Sequence, residues 1–429
     1  MGERLLTHDS MLLLFSTFLN SIPVGYINVV PLVYLAEIGY DPSTIGIIYS
    51  VSAIALTIGL IPFGLLADRY GRKKLLIVGT VLPCVSYAIF GLTLDPLPLT
   101  LASIIGGIGF AGGLGGAITN PTLIPMLANS TSDNKRSTLF GVLQSAWAVA
   151  LTIGAALSFL PSLFSSSFAQ SERAAHFESY FIMFGIAAVS IIPVLFVKER
   201  RNGGQLKILA ASNVATPQLT RWKRSYFSGV SSWSKIAKFS IIFAFTGFGL
   251  GVLVQLLPTW YAMRFGASEG IIGIWIAVSN LATIVSIPMI PMLVSRKGTI
   301  STAVATGIMG ALVLAFMPFT AVFEMAAAIF AIRCIVSGLS WAVLQSYMMG
   351  VVSEGERGTM VGFAYTTWGV GVSLGILIGG EFLGVGLLSL PFAAAIISYL
   401  ISSAAVLIFF RRIKPPEELL RFSLPRVTE

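Results

Sequence analysis

Long apolar runs separated by short polar breaks organise this chain from near Met11 to near Phe410. Each is about 20 residues or more, which at about 1.5 Å of helical rise per residue covers the ~30 Å hydrocarbon core of a bilayer. Twelve such runs can be counted, and all are predicted to be helices. Barrel strands would alternate apolar and polar positions over about ten residues. These runs are continuously apolar, and lipid leaves no backbone group unpaired. The first run is too long for a cleaved signal peptide. The expected fold class is an all-α integral membrane protein.

Composition agrees: 55% of residues are hydrophobic, 10% are charged, and the mean hydropathy is +0.88, values no soluble surface carries. The cations fix a topology. With both termini inside, every Lys and Arg except Arg173, Arg264 and Arg333 falls on the cytoplasmic side, as the positive-inside rule requires. The net charge of +9 therefore reports topology and contact with anionic membrane lipids, not nucleic-acid binding.

The chain also repeats itself in one direction. At an offset of 227, Asn28, Pro31, Tyr34, Gly39, Gly46, Ser52, Arg69 and Gly71 meet Gln255, Pro258, Tyr261, Gly266, Gly273, Ser279, Arg296 and Gly298. At an offset of 221, Asp133, Arg136, Thr138, Gly141, Trp147 and Gly154 meet Glu354, Arg357, Thr359, Gly362, Trp368 and Gly375. Parallel repeats of this kind build two bundles of six helices about an axis along the membrane normal. The expected organisation is a first bundle over 1–198, a basic cytoplasmic linker over 199–236, a second bundle over 237–413 and a cytoplasmic tail over 414–429. The linker reads as a flexible tether, with a surface helix around Trp222 as the alternative.

Between the second and third runs, Gly64-Leu-Leu-Ala-Asp68-Arg69-Tyr-Gly71-Arg72-Lys73-Lys74 concentrates glycine and charge. The spacing of Gly64, Asp68, Arg69, Gly71, Arg72 and Lys73 resembles the loop motif of the major facilitator superfamily (MFS), and with the twelve runs and the central tether the resemblance covers nearly the whole chain. It implies a transporter working by alternating access. It further implies that Asp68 contacts the start of the eleventh helix around Arg357 in the outward-facing state, where free helix N–H groups favour an anion. Arg69, Arg72 and Lys73 would meet lipid head groups or local acids, with Arg136 and Arg357 completing a repeat-related gating set. The second half's loop, Ser295-Arg296-Lys297-Gly298, lacks the acid, so the lock is expected on one side only.

Several residues are candidates for the transport path. Asn28 and Gln255 sit in the first and seventh helices, which line the cavity in this family; the alternative is interhelical hydrogen bonding. Trp147 and Trp368 offer flat apolar or cation–π surface, or lipid and core packing. Arg333 lies inside the tenth helix, where an unpaired charge costs from about 3 to over 10 kcal/mol. It would either bind an anionic substrate or pair structurally with Glu324, Glu381 or helix carbonyls. Many relatives carry an arginine in the fourth helix linked to proton coupling; here Ser103 occupies that slot. Glu37 and Glu381 are the proton-coupling candidates, and His8 and His176 read as terminal and loop residues. Gly109, Gly112, Gly113 and Gly116 read as close-contact faces of a continuous fourth helix. Gly154-Ala155 replaces the Gly-Pro of related antiporters.

Cys84 and Cys334 form no ligand-spaced pair, so neither metal nor disulfide is expected. The chain carries no nucleotide-binding loop, no cofactor is expected, and an enzyme is disfavoured. The leading expectation is a monomeric, proton-linked exporter of drugs or metabolites in the plasma membrane. The alternatives are organic-anion uptake through Arg333, and a non-transporting sensor or lipid translocator.

Overall fold

The computed structural model describes residues 7–107, 112–130, 133–198, 231–286, 289–352 and 356–411, and these are helical with no strand among them. The first half comprises α1 His8–Glu37, α2 Pro42–Tyr70, α3 Arg72–Leu92, α4 Pro96–Ile105 resumed as Gly113–Asn129, α5 Asp133–Ala156 continued by Leu160–Phe168, and α6 Glu172–Phe196. The second comprises α7 Trp233–Phe265, α8 Glu269–Ser286 continued by Met289–Lys297, α9 Thr299–Phe319, α10 Phe323–Gly350, α11 Arg357–Gly384 and α12 Leu390–Phe410. Among the described residues eleven helices are long and apolar enough to cross a membrane, and α4, in two shorter pieces, makes the twelfth. The expected linker and tail lie largely outside the described residues. Their inner boundary shifts, because α7 begins at Trp233 and the Lys235 ammonium is held by the Val351 carbonyl at 2.7 Å.

The repeat seen in the sequence reappears as repeated geometry. Gly71 alone joins α2 to α3 with φ 103°, and its repeat mate Gly298 joins α8 to α9 with φ 81°; any side chain there would be strained. Both first helices break before their matched prolines. α1 is interrupted at Asn28 and Val29 before resuming at Val30, and α7 at Leu253 before a 3₁₀ turn. A proline has no N–H to give, so it fits without loss of a hydrogen bond where a helix restarts.

α4 departs from the expected continuous helix. Gly107, Gly112 and Gly113 take φ values of 85°, 65° and 50°, outside the right-handed helical region, so the helix is interrupted here and restarts at Gly113, where the sequence suggested that Gly112 and Gly113 sit on packing faces of one helix. Gly109 lies outside the described residues.

The two halves meet at the face opposite the chain termini, largely through glycines. A Cβ on Gly46 of α2 would lie 3.0 Å from the Gly380 Cα of α11. At its repeat mate Gly273 on α8, a Cβ would meet Ala155 and Ser158 of α5. Thr259 donates to the carbonyl of Leu32, its own repeat mate, at 3.0 Å, so the pseudo-two-fold axis runs close to that bond. Toward the terminal face, a Cβ on either of the paired Gly141 and Gly362 would meet nothing within 4 Å among the described residues.

Candidate functional site

Between the halves lies a cavity of about 740 Å³, lined from both bundles. Trp147 of α5, Arg333 of α10 and Trp368 of α11 all line it. Asn28 and Gln255 are not among the lining residues; they sit at the α1 and α7 breaks.

Arg333 is buried, at 6% exposure. Its Nη2 donates to the Tyr399 hydroxyl of α12 at 2.8 Å, and its Cζ lies 5.1 Å from the Tyr399 ring centroid and 5.8 Å from that of Phe330. No carboxylate among the described residues pairs with it. Glu324 and Glu381, the structural partners the sequence suggested, are both exposed. Tyr399 is seated by α7, where Gly249 leaves space that a Cβ would fill at 2.9 Å from the Tyr399 ring. The guanidinium therefore keeps N–H donors beyond the one Tyr399 uses.

Around it, Trp341 lies 6.2 Å from Trp368 and 6.2 Å from Tyr365, whose hydroxyl accepts from the Gln345 amide. On the other half, Asn20 and Thr119 line the cavity, and their Oδ1 and Oγ1 atoms are buried with no hydrogen-bond partner among the described residues. The cavity thus has a cationic, aromatic side and an opposing side with unfilled polar atoms. Periodicity could not single out Asn20, Tyr399 or Gly249, since each sits in a uniformly apolar run.

The gating set resolves in part. Lys73 Nζ donates to the Leu195 carbonyl at 2.7 Å and Arg69 lies 5.6 Å from the Tyr70 ring centroid. Arg72 also has a partner, and Gly64 packs against Pro121. The side chains of Asp68, Arg136 and Arg357 fall outside the described residues. Ser103 is buried and donates to the Ile48 and Thr100 carbonyls, both at 2.8 Å.

One expectation is corrected outright. His176 is no loop residue. It lies in the first turns of α6, buried, with Nδ1 2.7 Å from the Glu172 carbonyl and Nε2 3.1 Å from Glu269 of α8. Glu269 is itself 5% exposed. The two spans begin at Glu172 and Glu269, which draws both residues inside the bundle.

The family model described as Major Facilitator Superfamily matches residues 13–332 and 239–425. The chain is 25% identical over 382 residues to the 3-(3-hydroxy-phenyl)propionate transporter of Escherichia coli K12, covering 87% of this chain and 86% of that one. It is 27% identical over 134 residues to the quinolone resistance protein NorA of Staphylococcus aureus, which is 31% of this chain and 33% of NorA. A solved structure of the nucleoside transporter NupG, in a variant form, superimposes with a TM-score of 0.71 at 17% identity, over 94% of this chain and all of that one. With its twelve helices, its repeat and these matches, the chain belongs to the Major Facilitator Superfamily, whose members are membrane transporters of small solutes and not enzymes.

Proposed function

We propose that this protein carries an organic anion bearing an aromatic ring, by alternating access of its two halves around the cavity, with protons as coupling ion. Arg333 carries the reading: a buried cation on the cavity lining with no carboxylate partner among the described residues. An unpaired charge at that depth costs about 3 to over 10 kcal/mol. The Tyr399 hydroxyl and ring offset part of this without cancelling the charge. A ligand carboxylate cancels it, and the planar guanidinium suits two parallel hydrogen bonds. Trp147, Trp341 and Trp368 supply flat area for a ring. The Escherichia coli relative is named for a solute that joins a ring to a carboxylate.

Drug or metabolite export is the second reading, favoured by the same aromatic lining and by the stretch similar to NorA. Plasma-membrane placement, cytoplasmic termini and a gate at Asp68 and Arg357 complete the proposal, supported by the distribution of cations.

A thermal-shift screen of purified protein separates the two, because a ligand that binds only the folded state stabilises it. Stabilisation by aromatic carboxylates that disappears in Arg333→Gln supports the anion carrier. Stabilisation by bulky hydrophobic cations, unchanged in Arg333→Gln, overturns it.

A further inference from the structure

At the face where the halves meet, His176 of α6 and Glu269 of α8 form a contact across the repeat boundary. Both are buried, and the Tyr34 ring of α1 stacks on the imidazole at 3.6 Å and 15°. The hydrogen-bond geometry limits what the pair can be. A carbonyl oxygen only accepts, so the 2.7 Å contact to the Glu172 carbonyl makes Nδ1 the donor. Nε2 then faces Glu269 Oε2 at 3.1 Å. With Nε2 bare and the carboxylate ionised, two lone pairs would point at each other in a site closed to water. One proton between the two atoms removes that conflict, whether drawn as imidazolium with carboxylate or as imidazole with carboxylic acid.

We infer that His176 and Glu269 together form a binding site for a single proton, and that its occupation holds the two halves closed at this face. The inference rests on the alternating-access reading and supplies its coupling ion with a location that neither the loop motif nor the cavity provides. The surrounding charged groups are Glu37 on α1 and Glu172 and Arg173 on α6, while Tyr26, Tyr34 and Tyr180 complete the titratable neighbours. Arg173 is directed to the Leu92 carbonyl, and the two nearby acids favour a proton on the pair. When the halves part, both side chains meet water, and above a pH of about 6.5 the solvated pair holds no proton. Closing the face then takes up one proton.

The sign follows by linkage. Above a pH of about 6.5 the closed-to-open ratio falls by up to ~10-fold per unit rise in pH, because only the closed state is protonated. Between about 4.5 and 6.5 the parted histidine is also protonated and the ratio is flat. Glu269→Gln changes this pattern: its amide donates to a neutral Nε2, so the ratio is flat above a pH of about 6.5 and falls as acid protonates the parted histidine. His176→Gln is flat across both ranges.

Distances between spin labels on Leu97→Cys and Phe319→Cys, both exposed on the closing face, read this in the ligand-free full-length protein over pH 5 to 9. A one-proton slope above about 6.5 that both glutamine variants lose supports the site. A wild-type closed fraction that is constant above about 6.5, or a slope that either variant keeps, overturns it. Because no substrate is present, the outcome stands whether or not aromatic anions bind the cavity.

Discussion

Arg333 of α10 and Tyr399 of α12 are joined by a 2.8 Å hydrogen bond, with the guanidinium carbon also 5.1 Å from the same phenol ring. Tyr399 thus acts as both acceptor and π-surface for the buried cation, and it leaves the positive charge intact. This contact settles where the charge sits in the cavity wall, and it separates the charge from its positioning.

Tyr399→Phe keeps the ring and removes the acceptor. A hydrogen bond to a charged group is worth about 1.5 to 3 kcal/mol, so stability in detergent is expected to fall by that order. Affinity for an aromatic carboxylate should change only a few-fold, since the charge remains. Arg333→Gln should instead cost at least ~100-fold in affinity while relieving an unpaired buried charge. Calorimetric titration of both variants with one aromatic acid checks the split; equal losses in the two would show that Tyr399 binds ligand directly.

Gly249 tests the same site from behind. A Cβ there would lie 2.9 Å from the Tyr399 ring, and overpacking of this kind costs about 1 to 3 kcal/mol. Gly249→Ala should displace Tyr399 and weaken anion binding about 10-fold, although the residue lies off the cavity lining. Restored binding in the double variant Gly249→Ala with Tyr399→Phe, which frees the ring from its hydroxyl anchor, is the expected signature of this indirect route.

The closed face depends on the absence of side chains. Gly46 and Gly380 cross with a hypothetical Cβ 2.9 to 3.0 Å from the opposing Cα, while one on Gly141 would meet nothing within 4 Å among the described residues. Gly380→Val should therefore wedge α2 from α11 and shift the closed-to-open ratio by about 10- to 100-fold toward open, the equivalent of ~1 to 3 kcal/mol. Gly141→Ala should leave it unchanged. Labels at Leu97→Cys and Phe319→Cys report both, and an unshifted Gly380→Val would show that the halves are held by other contacts.

What the sequence made legible follows from how strongly each feature is repeated. Membrane crossing is written by hundreds of apolar positions, and the duplication by paired Pro, Gly and Trp residues, so both could be read without contacts. Arg333 stood out because a cation inside an apolar run has no cheap explanation. Asn28 and Gln255 stood out as amides in apolar runs, and they fall at the α1 and α7 helix breaks, a position that periodicity alone does not reveal. The glycines of α4 were ambiguous in kind: close packing and positive φ select the same residue. His176 and Glu269 are 93 residues apart, each near a helix start, and only folding brings them within 3.1 Å.

Asn20 gives the last test, on the side of the cavity facing Arg333. Asn20 lines the cavity, and its Oδ1 is buried and unpaired among the described residues, as is Thr119 Oγ1. A buried acceptor without a partner destabilises the empty protein by about 1 to 3 kcal/mol. Asn20→Leu, which keeps the branched shape of the side chain without its polar atoms, should therefore leave the ligand-free protein equally or more stable. Rotation of the Asn20 amide into the cavity would let a ligand hydroxyl donate to Oδ1 and satisfy it, so an aromatic acid carrying a ring hydroxyl should bind wild type more tightly than the same acid without it. In Asn20→Leu that preference, expected at about 10-fold, should vanish, while the affinity contributed by the carboxylate and Arg333 persists. The comparison of two acids in two proteins forms a double cycle that isolates the hydroxyl's share. A preference that survives in Asn20→Leu would move hydroxyl recognition to another lining group, with Thr119 next.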